Sequence, residues 1–189
     1  MQTLTNLRAT FKRRAWDETI SDSDADIYIN EAYQDMPHLL YKKNQVLADE
    51  HCTTSVQTAI YDTYWWYVII PATAAFWDIS PALKKWQIRN GSNYNVYLNT
   101  GGSITIKQYT YPTALSAPSD TTIYLNAKLD DILCVHAASL YFADMKDAEQ
   151  KAQKERDRDD MLSYITEVNR QQFIPIDWDS DETIVNTVL

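Results

Sequence analysis

Leu129-Asp130-Asp131-Ile132-Leu133-Cys134-Val135-His136-Ala137-Ala138-Ser139-Leu140-Tyr141-Phe142-Ala143-Asp144-Met145 decides how this chain is put together. Leu129, Ile132, Leu133, His136, Ala137, Leu140 and Tyr141 recur at i, i+3, i+4, i+7, i+8, i+11 and i+12, one stripe along a helix with no charge on its buried face. A second, densely charged helix follows from Asp147 to Val168. The remaining segment, Gln171 to Leu189, is acidic and aromatic and has no further element in the chain to pack against. Its apolar residues Phe173, Ile174, Ile176, Trp178, Ile184, Val185, Val188 and Leu189 suggest a partner in another chain, and so assembly rather than chemistry.

Working outward, the bulk composition narrows the class. A chain of 189 residues that is 45% hydrophobic is globular, not disordered. Glycine is scarce at 3 residues, where average usage of about 7% gives roughly thirteen. That argues against glycine-rich phosphate loops. Thirteen tyrosines and six tryptophans argue for amphipathic contact surfaces, each ring having an apolar body and a polar tip. A net charge of -9 is the reverse of what a free-standing nucleic-acid binder needs to neutralise phosphates. Cys52 and Cys134 make no disulfide framework, so a reducing cytoplasm is expected. The polar start, Met1 to Arg14, has no signal-peptide core. The apolar run Tyr64 to Trp77 is too short to span a bilayer and is broken by Pro71, so no membrane partner is expected.

The order of elements predicts an α+β fold. Leu4, Leu7, Phe11 and Ala15 mark a first helix ending near Trp16, with Lys12, Arg13 and Arg14 at the negative end of its dipole. Ser21 to Asp26 is a dense helix-start signal, and Ile29, Ala32, Tyr33 and Met36 form a second stripe that Pro37 is expected to stop. From Thr53 the chain turns β-rich, with runs at Thr53–Ile60, Tyr64–Ile70, Asn93–Leu98 and Ser103–Tyr109. Asn99-Thr100-Gly101-Gly102 between the last two predicts a hairpin tip, remote from the helices and offered to a neighbour. Tyr111 to Asp120 links back. The helices at the two ends of the sequence must pack together to bury their stripes. The expected layout is residues 1–50 and 121–170 as a helical body, 51–120 as a β-rich insertion and 171–189 as an extended tail.

No residue set points to catalysis or to a cofactor. Asp177, Asp179 and Asp181 start like a calcium loop, as do Asp22, Asp24 and Asp26, but neither has the required glycine or glutamate. His51-Cys52 and Cys134-x-His136 lack the spacing of zinc ligands, and His136 reads as a core histidine. Asp130 and Asp131 point to different helix faces and read as first-turn acids. Arg8, Lys12, Arg13 and Arg14, with Lys42 and Lys43, read as a solvated face or as a contact to DNA or an acidic neighbour. Lys151, Lys154, Glu155, Arg156 and Arg158 on the charged helix read either as exposed or as a subunit face where complementary charges set register.

Three stretches together carry a resemblance. A short basic helix leads into Ser23-Asp24-Ala25-Asp26-Ile27-Tyr28-Ile29-Asn30-Glu31-Ala32-Tyr33; a strand ends at Ile69-Ile70-Pro71; and Ile106-Lys107-Gln108-Tyr109 passes through a Pro/Ser-rich link to Leu129–Leu133 and Ala137-Ala138. This order resembles the head-to-tail connector adaptors of tailed bacteriophages, the ring under the portal vertex. The likeness spans residues 4 to 170; the aromatic middle, with Trp65-Trp66, and a missing glycine before the Ile69-Ile70-Pro71 strand depart from it. It implies a homo-oligomeric ring, commonly of twelve copies, in the virion neck, assembled in the host cytoplasm, touching the portal and the next neck or tail protein. DNA would pass through without sequence-specific binding, which suits an acidic wall. Another neck or stopper component is the alternative, and a carbohydrate-binding module with sugar-stacking aromatics is a further one.

Overall fold

In the computed structural model, residues 2–43, 51–71, 76–79, 84–124 and 126–172 are described. Four helices form one body: α1 (Leu4–Ala15), α2 (Asp22–Lys43), α3 (Ala127–Asp144) and α4 (Ala148–Gln172). Their shared core joins Leu7 and Phe11 of α1, Ile29 and Tyr33 of α2, Leu129, Ile132 and Leu133 of α3, and Leu162 and Ile165 of α4. The two ends of the sequence thus bury each other's apolar faces, as the stripes require. Tyr141 and Leu140 lie at the edge of that core, half-buried.

α3 is more enclosed than its stripe implies. Cys134, Val135, Ala138 and Ser139, off the stripe, are buried too, because α1, α2 and α4 surround the helix. Its buried surface also carries a titratable acid, contrary to the expectation: Asp130 is fully buried and accepts a hydrogen bond from the Thr122 hydroxyl. Asp131, on the other face, takes Arg14 of α1 at 3.0 Å.

Pro37 does not stop α2, which continues to Lys43. A proline inside a helix removes one hydrogen bond and costs about 3 kcal/mol. The turn beyond it seats Leu40 in the core and sets the Tyr41 ring 5.1 Å from that of Tyr109, burial that offsets the loss. At the other end the Ser21 hydroxyl accepts from the Asp24 amide at 3.1 Å, capping the helix. Asn30 clamps the returning link from both sides: its amide oxygen accepts from the Leu115 N–H at 2.7 Å and its amide nitrogen donates to the Leu115 carbonyl at 3.0 Å.

The middle of the chain is two small antiparallel sheets. In one, β7 (Ser103–Tyr109) lies between β1 (Cys52–Thr58) and β4 (Phe76–Asp78). In the other the order is β2 (Ile60–Tyr61), β3 (Trp66–Pro71), β6 (Asn93–Leu98), β5 (Lys84–Asn90). They share an interior of Ala59, Val68, Ile70, Ile79, Val96, Leu98, Ile104 and Ile106. β1 and β7 meet the helical core at Cys52 and Tyr109, and run outward from it to Thr58 and Ser103.

The hairpin expected at Asn99–Gly102 is not one. β6 and β7 belong to different sheets, and Asn99–Gly102 carries the chain from one to the other at the end of β7 remote from the helices. Gly101 lies against the Trp66 indole: a Cβ there would sit 2.6 Å from ring atoms. Gly102 has φ +104, which an L side chain rarely adopts. The tight hairpin is β5–β6, with Asn90 opposite Asn93 and Gly91 at φ +59 between them. A positive φ at the first of two loop residues suits the twist of the strands.

Two substitutions test this architecture. Leu133→Ala, at the centre of the body, is expected to cost about 2–5 kcal/mol, read as a lowered denaturation midpoint. Gly101→Ala is expected to cost about 1–3 kcal/mol by overpacking against Trp66, with a changed tryptophan fluorescence spectrum. An unaltered spectrum and midpoint would show that the crossing does not rest on that indole.

Candidate functional site

His51 and His136 are interior groups. His51 is buried against Tyr33 and Tyr124, and its Nε2 lies 3.0 Å from the Tyr124 hydroxyl. Burial lowers its pKa to about 4. His136 sits between α2 and α4. Arg158 Nη1 donates to its Nδ1 at 3.2 Å, and Asp35 lies 3.4 Å from its Nε2. A guanidinium only donates, so Nδ1 is the acceptor and the ring proton resides on Nε2, facing the carboxylate. Burial, and then the Arg158 charge, hold its pKa below the usual value. The expected reading of His136 as a core histidine stands. Cys134 directs its thiol to the Leu7 carbonyl at 3.6 Å. Among the described residues no three His, Cys, Asp or Glu side chains come together to hold a metal.

The basic residues of α1 are used internally. Arg8 makes a two-pronged contact with Asp26, 2.7 Å from Nε and 2.6 Å from Nη2, and Lys12 reaches Asp22 at 2.9 Å. With Arg14 on Asp131, three of the six cations expected on a solvated or DNA-facing surface, all on α1, are paired to helices of the same chain. Arg13 remains exposed.

The charged-helix set divides in the same way. Lys154 is buried at 4% exposure, its ammonium 3.8 Å from the centre of the Trp16 ring, so it joins α4 to the end of α1. Arg158 is mostly covered, engaged by His136 and Asp159. Lys151, Glu155 and Arg156 keep to the surface; Lys151 and Glu155 are 3.9 Å apart, and Arg156 donates to Gln153 at 3.1 Å. Asn99 and Gly102 are exposed, while Gly101 is occupied by Trp66. Phe173, Ile174, Ile176, Trp178, Ile184, Val185 and Leu189 lie outside the described residues.

What the sequence reading missed is an apolar sheet face. On β3, Val68 and Ile70 point into the β interior, so Tyr67 and Ile69 point out. Register carries that outward face across the sheet, Ile60 opposite Tyr67 opposite Tyr97, and Ile69 opposite Asn95 opposite Ile88. Ile60, Ile69 and Ile88 are 46%, 37% and 54% exposed, and the outward positions hold no charge. The available signal was that Trp66-Tyr67-Val68-Ile69-Ile70 is apolar at every position, a pattern for a strand covered on both faces.

A second missed surface lies at the end of the helical body. Trp16 and Met145, each more than 60% exposed, flank an open cleft of about 450 Å³ lined also by Asp17, Phe142 and Asp147. A smaller groove of about 370 Å³ between α3 and α4 is lined by Lys128, Met161, Tyr164 and Ile165, with the Lys128 ammonium 4.3 Å from the Tyr164 ring centre.

Among the described residues no helix is long and apolar enough to cross a membrane. Comparison with protein-family models and with curated proteins finds no match for this chain.

The His51 pocket makes a pH prediction. A base whose folded pKa is depressed leaves full stability above its unfolded value near 6.5, and stability falls as pH drops from there toward about 4. The loss is up to about 3 kcal/mol. His51→Phe keeps the ring between Tyr33 and Tyr124, and is expected to flatten the stability slope over that window. Equal slopes for the two proteins would place the acid sensitivity elsewhere.

Proposed function

We propose that this chain is a structural, non-enzymatic component of a phage neck. In this reading it is a ring-forming adaptor between the portal vertex and the tail, through which DNA passes. The residues that carry the resemblance have work in the fold that suits such a body. Ile29, Ala32 and Tyr33 sit in the core and Asn30 clamps the returning link. The observation that carries the proposal is the uncharged outward face of the four-stranded sheet, on which Ile60, Ile69 and Ile88 are exposed. It belongs to a module standing apart from a helical body that has already closed around its own core. Such a face is costly to leave in water and is ordinarily covered by another protein.

The tail, residues 171–189, is assigned in the same reading to the portal, with Phe173 and Trp178 as anchors. The test is to mix the purified chain with portal protein and measure mass and stoichiometry. A ring of about twelve copies on the portal is expected by the family resemblance. Removing residues 171–189 is expected to leave the melting curve nearly intact and to abolish capture by portal. A truncated chain that binds portal at full strength removes the tail from the interface. A chain that stays monomeric with portal and binds glycans instead favours the sugar-binding alternative.

A further inference from the structure

Among the described residues the two sheets have four edge strands, and three of them are guarded. β2 is only two residues long. β4 is three residues long and ends on the charged Asp78. β5 carries Lys84, Lys85 and Arg89, and its pairing with β6 is irregular between Lys84 and Trp86. Short length, charge and bulges are the devices that keep an edge from pairing further. β1 has none of them. Its seven residues pair with β7 in unbroken register, from Cys52 opposite Tyr109 to Thr58 opposite Ser103, and hold no charge, proline or glycine. Among the described residues no strand lies along its other side, and Val56 is 67% exposed. That side offers a row of backbone N–H and C=O groups to an extended segment.

The chain itself supplies such a segment. Thr183-Ile184-Val185-Asn186-Thr187-Val188-Leu189 lies outside the described residues. Like β1 it is seven residues without charge, proline or glycine, and five of them are β-branched, the composition of a strand. The fold delivers it to the right end of the body. α4 runs back along α3: Arg158 reaches His136, and Tyr164 lies under the Lys128 ammonium at the start of α3. The helix continues to Gln172, about 12 Å further along. Tyr124, just before α3, meets His51, which directly precedes β1, at 3.0 Å. α4 therefore leads out of the body where β1 begins. Residues 173–182 reach up to about 33 Å when extended. That exceeds the length of β1, about 23 Å for its seven residues.

We propose that residues 183–189 add to the open edge of β1 in the same chain, as a fourth strand of the three-stranded sheet. Main-chain hydrogen bonds supply the attachment, and neither strand brings a charge that would be repelled or desolvated. A span this short holds the segment near its own β1 at an effective concentration of the order of millimolar, ahead of any second copy in dilute solution. The acids Asp177, Asp179, Asp181 and Glu182 fall in the connecting span, outside the paired segment. The pairing uses neither Phe173 nor Trp178, so it is independent of the neck reading.

Hydrogen exchange reads the pairing at the backbone, where its effect is local and need not move the melting curve. In the full chain the amides on the open side of β1 are expected to be protected. A chain ending at Glu182 is expected to exchange them at least about tenfold faster, with β3 and β6 unchanged. Val185→Pro removes an amide from the middle of the segment while keeping its length, and is expected to reproduce that loss. Equal exchange at β1 in the three proteins overturns the proposal. Protection that the full chain loses on dilution also overturns it, because the added strand then comes from a second copy. Both altered chains keep Phe173 and Trp178, so their failure to bind portal counts against the neck reading and not against the strand.

Discussion

Burial of α3 is the constraint on which the rest of the molecule depends. The helix supplies Leu129, Ile132, Leu133 and Ala137 to a core closed by α1 and α2 on one side of the sequence and α4 on the other. Neither end of the chain can bury its apolar stripe without the other, so the chain between α2 and α3 leaves the body and returns. β1 and β7 provide that exit and entry as neighbouring antiparallel strands. Tyr109, at the root of β7, and Leu115, on the returning link, both belong to the helical core, and Asn30 holds the link by the backbone of Leu115.

Enclosure by three helices also explains the polar interior. A helix covered on one side can keep its acids in water, but α3 is covered nearly all round. Asp130 therefore needs Thr122, and its carboxyl pKa is raised by desolvation. His136 lies where α2 and α4 both approach, between Asp35 and Arg158, and burial, then the Arg158 charge, lowers its pKa. Lys154 keeps its charge under cover by lying on the Trp16 ring. Much of the charge that reads as a solvated or partner-seeking surface is spent on joining helices within one chain. Among the described residues, Ile60, Ile69 and Ile88 on the outward sheet face and Trp16 and Met145 beside the cleft stay exposed.

The helical half was legible because helix signals are local. The stripes of α1 and α3 appear in sequence as 3.6-residue periodicity, and Ser21 and Asn126 are recognisable capping residues. Pro37 misled because its penalty is local while its compensation is not: Leu40 and Tyr41 are repaid by residues far away in sequence. Asn99–Gly102 misled for the same reason. Two glycines between two strands have the chemistry of a hairpin, and nothing in the segment states that the flanking strands join different sheets.

What the amino-acid sequence determined alone is the existence and position of the helices, the β character of the middle and the α+β class. These follow from patterns set within a few residues by backbone geometry and side-chain size. The tertiary structure decided the rest: which strands pair, which charges are consumed inside the body, and which apolar residues stay uncovered. Trp66-Tyr67-Val68-Ile69-Ile70 is the clearest case. Period-two geometry sends its residues to alternate faces, but only the packing of β7 against one face of that sheet makes Val68 and Ile70 core and leaves Ile69 exposed. Burial is a property of what arrives on the other side, and that arrival is a long-range event which no local stretch of sequence encodes.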